Sequence, residues 1–577
     1  MFSNRRTFPS TDIYGPGTFV DNDFLAVPDD AARVLKQLAK TTPGFNNDPD
    51  ILESVKFEGH AEPMIPGPIK APVIAAALHA MCGIVCNELL ELRDGPKKRE
   101  VLINTDQAAL WLGSILTFAV NGSDPSALAH MGSNGVKSKL FPHNFEKGVF
   151  DTPLKLRTTA IYRTKTPGVW YQLHGSLNPD PVLEAIGVDT TSKCVTPEDA
   201  YRLIGEHVAR YTADELEMIM VKNGFCGSVC YTPAEWGRTL MGKRLEKHPL
   251  INCIRQSQAI PTPPVSMPAV ADKRPLAGVK VIELVRIVAG PVIGTTLAAL
   301  GADVIRVNSS NLPDVNALQL TLNAGVRTID LDLDNDNDRA RLHELVQDAD
   351  VFVQGFRPGS ISRKGFGLDE LLKIAGKRGK GIIYVEENAY GPDGPFYERP
   401  GWQQIGDAAS GCSYVTGRSL GFTDGTSVLP PLPISDMTTG LVGALGALMA
   451  LRDRARHGGS YHVLSSLVAA DAISLHPEIG LYSPDVVQKI ADAFQWDNMD
   501  PSHYVTDLLM VVYKGWKKVY PQYFTEDSPF MTTFEKTYWG RLQVLSPVVK
   551  LSDSAATPHW NSPPVPHCHF DRNISWR

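Results

Sequence analysis

P-L-A-G-V-K-V-I-E-L-V-R-I-V-A-G-P, residues 275–291, followed by L-G-A-D-V-I-R-V at 300–307, sets how this chain is read. The apolar run 279–285 has the length of a buried strand. Gly290 and Pro291 open an apolar helix that reaches about Leu300, and 302–307 returns as a second strand, which makes a βαβ unit. Further apolar runs at 328–333, 351–354 and 382–385 are separated by helical or loop sequence such as 339–347. Alternation of this kind predicts an α/β domain with a mostly parallel sheet covered by helices.

The rest of the composition narrows the class. At 577 residues the chain exceeds what one core ordinarily organises, so two to four domains are expected. Its 43% hydrophobic and 21% charged residues are the usage of a soluble globular protein, and a net charge of -7 supplies no basic field, so nucleic acid is excluded as a partner. Eight cysteines are too sparse for a secreted disulfide framework and fit a reducing compartment. A cytoplasmic protein is expected, with peroxisome and mitochondrion left open. No apolar run approaches the roughly twenty residues of a membrane helix, and Arg5 and Arg6 are followed by no apolar segment of a secretory signal. No metal is expected either. Cys226 and Cys230, like the His567, Cys568, His569 cluster, have no second pair at zinc spacing, and the acidic run Asp330 to Asp338 lacks the glycine and glutamate of a calcium loop.

Five prolines (261, 263, 264, 268 and 275) make 259–275 an extended linker, because proline denies helix and sheet a donor. A weak repeat spans it. A-A-L-H-A-M-C-G-I-V-C-N-E-L-L-E-L-R-D at 76–94 parallels T-T-G-L-V-G-A-L-G-A-L-M-A-L-R-D at 438–453, and each copy continues into a short basic loop, a strand and a helix. A tandem duplication with a degenerate first copy follows. The expected parts are a degenerate segment 1–70, a first half with its small domain over 71–258, the linker 259–275, a Rossmann-like large domain 276–475, and a C-terminal small domain and tail 476–577.

The motifs P-L-A-G-V-K-V-I-E-L-V, V-A-G-P, L-G-A-D-V-I-R-V, A-D-V-F-V-Q-G-F-R-P-G and P-I-S-D-M-T-T-G-L, in that order between Pro275 and Leu441, resemble those of the family III CoA-transferases, the CaiB/BaiF family. The long tandem form resembles proteins of filamentous fungi. The resemblance implies a CoA thioester as substrate, a carboxylic acid as acceptor, no permanently bound cofactor, and covalent chemistry on one aspartate. Asp436 stands at that position. A carboxylate attacks an acyl-CoA to give a mixed anhydride and a thiolate, which returns to form an aspartyl thioester. Taken alone, Asp436 also reads as a helix N-cap. The resemblance further places Ile287, Val288, Ala289, Leu331, Gly355, Phe356 and Arg363 at CoA-contact positions. Family members form interlocked subunits, so the two halves here are expected to act as an intramolecular pseudo-dimer; a further pairing of two chains is compatible with this.

Departures from the family pattern matter. Ser309 and Asp334 stand where two basic CoA contacts are usual, Gly355 replaces an asparagine, and Arg306, Arg327 and Arg363 are candidates to compensate. The related α-methylacyl-CoA racemases carry His-Asp where this chain has Trp402 and Gln403. Neither titrates near neutrality, so racemization is disfavoured and Gln403 becomes a candidate contact to an acyl or carboxylate oxygen. The remaining alternative is a degenerate protein that binds acyl-CoA without turnover.

Overall fold

The computed structural model describes residues 10–126, 140–141 and 143–577; Arg5 and Arg6 lie outside them. The stretch 275–307 forms the centre of a seven-stranded sheet. In space the order is Arg327–Asp330, Asp303–Asn308, Lys280–Leu284, Val351–Gln354, Ile383–Asn388, Tyr461–Ser466 and Asn252–Arg255. The first six are parallel, with Val281 opposite both Val304 and Val351, and Asn252–Arg255 closes the edge antiparallel. Burial on both faces explains why these strands read as unbroken apolar runs. Chain order reverses between Lys280–Leu284 and Val351–Gln354. A doubly wound sheet opens its ligand crevice at such a reversal, at the carboxyl ends of the strands.

Two helices of 24 residues, Ala71–Asp94 and Ile434–His457, run through the middle of the molecule. By length and composition both could cross a bilayer, contrary to the expectation that no apolar run comes near that length, yet 94% of each apolar window is buried inside the protein. A helix apolar all round is what the centre of a large core requires. The core is continuous between the halves, joining Leu78 and Val85 of one helix to Leu441 and Leu448 of the other. Across it, Arg452 Nη1 donates to Glu88 Oε2 at 2.8 Å, both side chains being buried.

The two helices end alike, on Gly95 and Gly458, both at positive φ. They also pack alike. A methyl on Gly83 would lie 2.4 Å from Val101 Cγ1, and one on Gly446 would lie 2.4 Å from Val463 Cγ1. This register differs by one helical turn from the one the two L-R-D sequences suggest, because those arginines answer to different neighbours: Arg93 donates to the carbonyls of Lys273 and Arg274, Arg452 to Glu88. Val55–Glu58 and Val101–Asn104 pair in parallel, as do Ile383–Asn388 and Tyr461–Ser466.

Edge strands are exchanged. Lys550–Leu551, from the end of the chain, pairs antiparallel with Val101–Asn104, while Asn252–Arg255, from the end of the first half, does the same beside Tyr461–Ser466. Phe118–Val120 likewise joins the C-terminal sheet Met531–Thr537 and Gly540–Leu545. A separate antiparallel sheet, Ala160–Arg163, Trp170–His174 and Cys226–Val229, leans on the crevice. The 259–275 segment is extended, but it is strapped down: Thr262 and Met267 are buried, Thr262 O accepts from Gly459, and Arg274 is enclosed.

Candidate active site

The crevice is built from the strand ends inward. After Lys280–Leu284 the chain turns through Ile287 and Val288 into the helix Ala289–Ala299. Val288 is buried at φ 53° and ψ -78°, a left-handed conformation that a β-branched residue adopts only under strain. Gly355, after Val351–Gln354, donates its N–H to Leu284 O at 3.1 Å and so closes the floor of the reversal point. A side chain there would meet Glu387, whose Oε2 lies 2.9 Å from where a Cβ would stand.

Asp436 is the third residue of Ile434–His457, with Pro433 in the cap position, so it is not the N-cap that its sequence context allows. Its side chain is partly exposed while Ser435 and Met437 are buried, and no hydrogen bond among the described residues satisfies it. One turn on, Gly440 packs so closely on the Val288 turn that a methyl there would stand 2.5 Å from both Ala289 O and Val292 Cβ, which seats the helix start beside that turn. Removal from bulk water pushes the Asp436 carboxyl well above the ordinary range, and Glu387 and Asp407 push it further. The helix N-terminus opposes them by favouring an anion.

Gln403 begins the helix Gln403–Ser410 and is buried. Its amide nitrogen donates to Asp407 Oδ2 at 3.1 Å and to Leu432 O at 2.9 Å, which uses both hydrogens. The side chain therefore has only its oxygen left to offer a ligand. Behind it stand the buried carboxyls of Asp407 and Asp471, which act on each other; burial pushes Asp407 up to about 7 and Asp471 well above the usual range. Trp402 stacks on His174 of the first half, with ring centroids 5.0 Å apart and 12° between planes, and donates its indole N–H to Ser176 Oγ at 3.3 Å. The amino half thus supplies a wall of the crevice.

Ala289, Gly355, Gln403 and Asp436 come together at this end, through the contacts just described. Leu331 and Arg363 lie on the same carboxyl side of the sheet but away from Asp436, Leu331 buried after the edge strand with its N–H on Asn308 O and Arg363 exposed beside Gly359, with half-buried Phe356 anchored by Gln354 Oε1. Of the three arginines expected to compensate for Ser309 and Asp334, two are spent within the fold. Arg306 is fully buried on Glu283, Asn323 and Pro291 O, and Arg327 grips Asp303 and Ser575 O. Their spacing along the chain carries no sign that both point inward. Asp334 pairs with Lys364.

Two site residues escape a reading of the sequence. Arg286, half-buried on the turn after the strand Lys280–Leu284, makes no hydrogen bond among the described residues; its Nη2 is enclosed without a partner, and the charge that acts on it is that of Asp314. Glu387 faces the crevice beside Asp436, pushed up to about 8 by burial and by Glu386. The E-E pair ending the apolar run I-I-Y-V is the available signal: of two carboxylates at the mouth of a buried parallel strand, Glu386 is held by Tyr397 and His462, which leaves Glu387 without a structural partner among the described residues.

The chain is similar to known proteins along its length. The family described as CoA-transferase family III matches residues 276–504. An acyl-CoA transferase of Gibberella moniliformis is 43% identical over 98% of both chains. The acetyl-coenzyme A transferase nodX of Hypoxylon pulicicidum is 35% identical over 72% of this chain and 70% of its own. A solved CaiB/BaiF family protein from Brucella suis is 29% identical and covers 34% of this chain and 55% of that one, with a TM-score of 0.30. On the near full-length identity, this chain belongs to CoA-transferase family III.

Proposed function

We propose that the protein moves CoA between an acyl-CoA thioester and a carboxylic acid through covalent intermediates on Asp436. The observation that carries this is a carboxyl at a helix start, partly open to the reversal-point crevice and, among the described residues, unpaired with any hydrogen-bond donor or cation. A structural aspartate in such surroundings would be bonded or would be replaced. The CoA chain would run from Leu331, Phe356 and Arg363 across Gly355 to the turn Ile287, Val288 and Ala289, with the thioester carbon at Asp436. Asp436 attacks that carbon and the sulfur leaves; the thiolate then returns to the aspartyl carbonyl and frees the acid, after which the acceptor reverses the sequence. Gln403, with its hydrogens engaged, would accept a hydrogen bond from a protonated carboxyl of the bound acid rather than donate to it. The named activities of the relatives from Gibberella and Hypoxylon support the substrate class.

We also infer a pseudo-dimer with one site per chain, divided as the five sequence segments suggest and working in the cytoplasm. In the register set by Gly83 and Gly446, the position of Asp436 is held in the first half by Val73, which is buried and cannot form an ester. Whole-protein mass spectrometry after mixing with a panel of acyl-CoA thioesters tests the reading. An adduct mapped to Asp436, absent in Asp436→Asn, is the expected result. Thermal stabilisation by acyl-CoA with no adduct in a folded wild-type protein would instead establish a binder.

A further inference from the structure

We propose that Glu387 is a second catalytic carboxyl of this crevice, the group that hands a proton to the CoA sulfur as Asp436 displaces it and takes that proton back when sulfur returns. The proposal rests on the covalent reading of Asp436.

Glu387 lies near the end of the strand Ile383–Asn388, partly exposed and without a hydrogen-bond partner among the described residues, in space that exists because residue 355 has no side chain. Its sequence neighbour Glu386 is engaged elsewhere, accepting from Tyr397 Oη at 3.4 Å and lying 3.2 Å from His462 Nε2. The titratable groups around the two crevice carboxyls are Glu386 on the same strand, Asp407 on Gln403–Ser410, and Asp471 on Leu467–Ser474; among the described residues no lysine or arginine acts on either. Two adjacent carboxyls in such a place do not both ionise near neutrality, so they share protons as a pair. Asp436 stands in the first turn of a 24-residue helix, where the dipole favours an anion, whereas neither a helix start nor any described donor acts on Glu387. Against the push that Glu387 exerts on the Asp436 carboxyl, the helix dipole acts on Asp436 alone, and on that ground the shared negative charge is placed on Asp436 and the proton on Glu387, leaving one nucleophile and one acid.

The chemistry balances without a further reactant. An oxygen of Asp436 bonds to the acyl carbon, the carbon–sulfur bond breaks with its electron pair going to sulfur, and the proton of Glu387 passes to that sulfur, leaving Glu387 as carboxylate. On return, Glu387 recovers the proton while sulfur attacks the aspartyl carbonyl and the acyl carboxylate departs. An acid pushed up to about 8 is well matched to a thiol of ordinary acidity near 8.5. A second observation ties the two carboxyls together. Carrying the same register through the paired strands, Val55 opposite Val101 and Val385 opposite Val463, places Phe57 where Glu387 stands. The first half lacks both groups, as expected if they act as a unit.

The test is the rate of Asp436 adduct formation from acetyl-CoA, followed by quench and mass spectrometry from about pH 6 to pH 9, which brackets the titration of an acid near 8. Wild type should lose rate on the alkaline side as Glu387 gives up its proton. Glu387→Gln should be slower by about a hundredfold and lose that limb; Glu387→Asp should be slower yet keep it, which a packing defect would not produce. Wild-type rate and pH dependence in folded Glu387→Gln overturns the assignment while leaving the transferase intact. Absence of any adduct in wild type sinks the covalent reading, and this proposal with it.

Discussion

Asp436 and Glu387 titrate above the values they have in an unfolded chain, so the native protein binds more protons than the unfolded one between about pH 4 and 8. Stability is then highest at the acid side of that window and falls as pH rises through about 8. Because both groups touch solvent, the loss is discounted to about 1–2 kcal/mol. A ligand-free melting series should show wild type falling between about pH 6 and pH 8.5, and the double variant Asp436→Asn, Glu387→Gln should flatten that slope. Arg286 presents a different case, a guanidinium without a hydrogen bond whose charge still offsets that of buried Asp314. Arg286→Met should cost no more than about 1 kcal/mol, since no hydrogen bond is broken and buried Asp314, pushed up to about 6, can take a proton once the charge is gone. It should weaken acyl-CoA or acceptor binding about tenfold, the scale of one charged hydrogen bond, read as a smaller ligand-induced shift in melting temperature.

Among the elements, the site depends on how Ile434–His457 crosses its neighbours. Gly440 lets Ala289 and Val292 approach as no other residue could, and that crossing fixes where Asp436 points. Gly440→Ala should cost about 1–3 kcal/mol through overpacking and slow adduct formation more than it lowers stability, because the helix start must move. The other face of that helix is held by Arg452 on Glu88. Arg452→Met leaves the buried Glu88 carboxylate with only Asn46 at 3.3 Å and Arg456 at 3.5 Å and is expected to cost about 1.5–3 kcal/mol, which Glu88→Leu in the same chain should largely restore. Calorimetry of the single and double variants decides it; equal loss in both would mean the pair is not the cause.

Across the molecule as a whole, three exchanged strands and one continuous core bind the halves, whereas the 259–275 segment adds only a strap. A protease site placed at the exposed residues 269–271 should yield two fragments that elute together and unfold in one transition. Fragments that separate in native buffer would contradict the interlock.

Much of this architecture is legible in the chain's letters. The βαβ signature at 275–307, the parallel strands and the position of Asp436 follow from local periodicity and turn residues, which the chain carries within a few positions of where they act. Direction is what the letters do not convey. Arg306 and Arg327 look like Arg286 and Arg363 on paper, yet the first two are consumed by Glu283 and Asp303 across neighbouring strands. The repeat likewise matches on L-R-D, one turn away from the register that Gly83 and Gly446 enforce by close packing. The kind of sheet, the family and the place of Asp436 at a helix start were thus written into the linear order of residues, because they rest on contacts between near neighbours. Which charges stay unpaired in the crevice, and that Glu387 joins Asp436 there, emerged with folding alone, because pairing and desolvation are settled by residues brought together from distant parts of the chain.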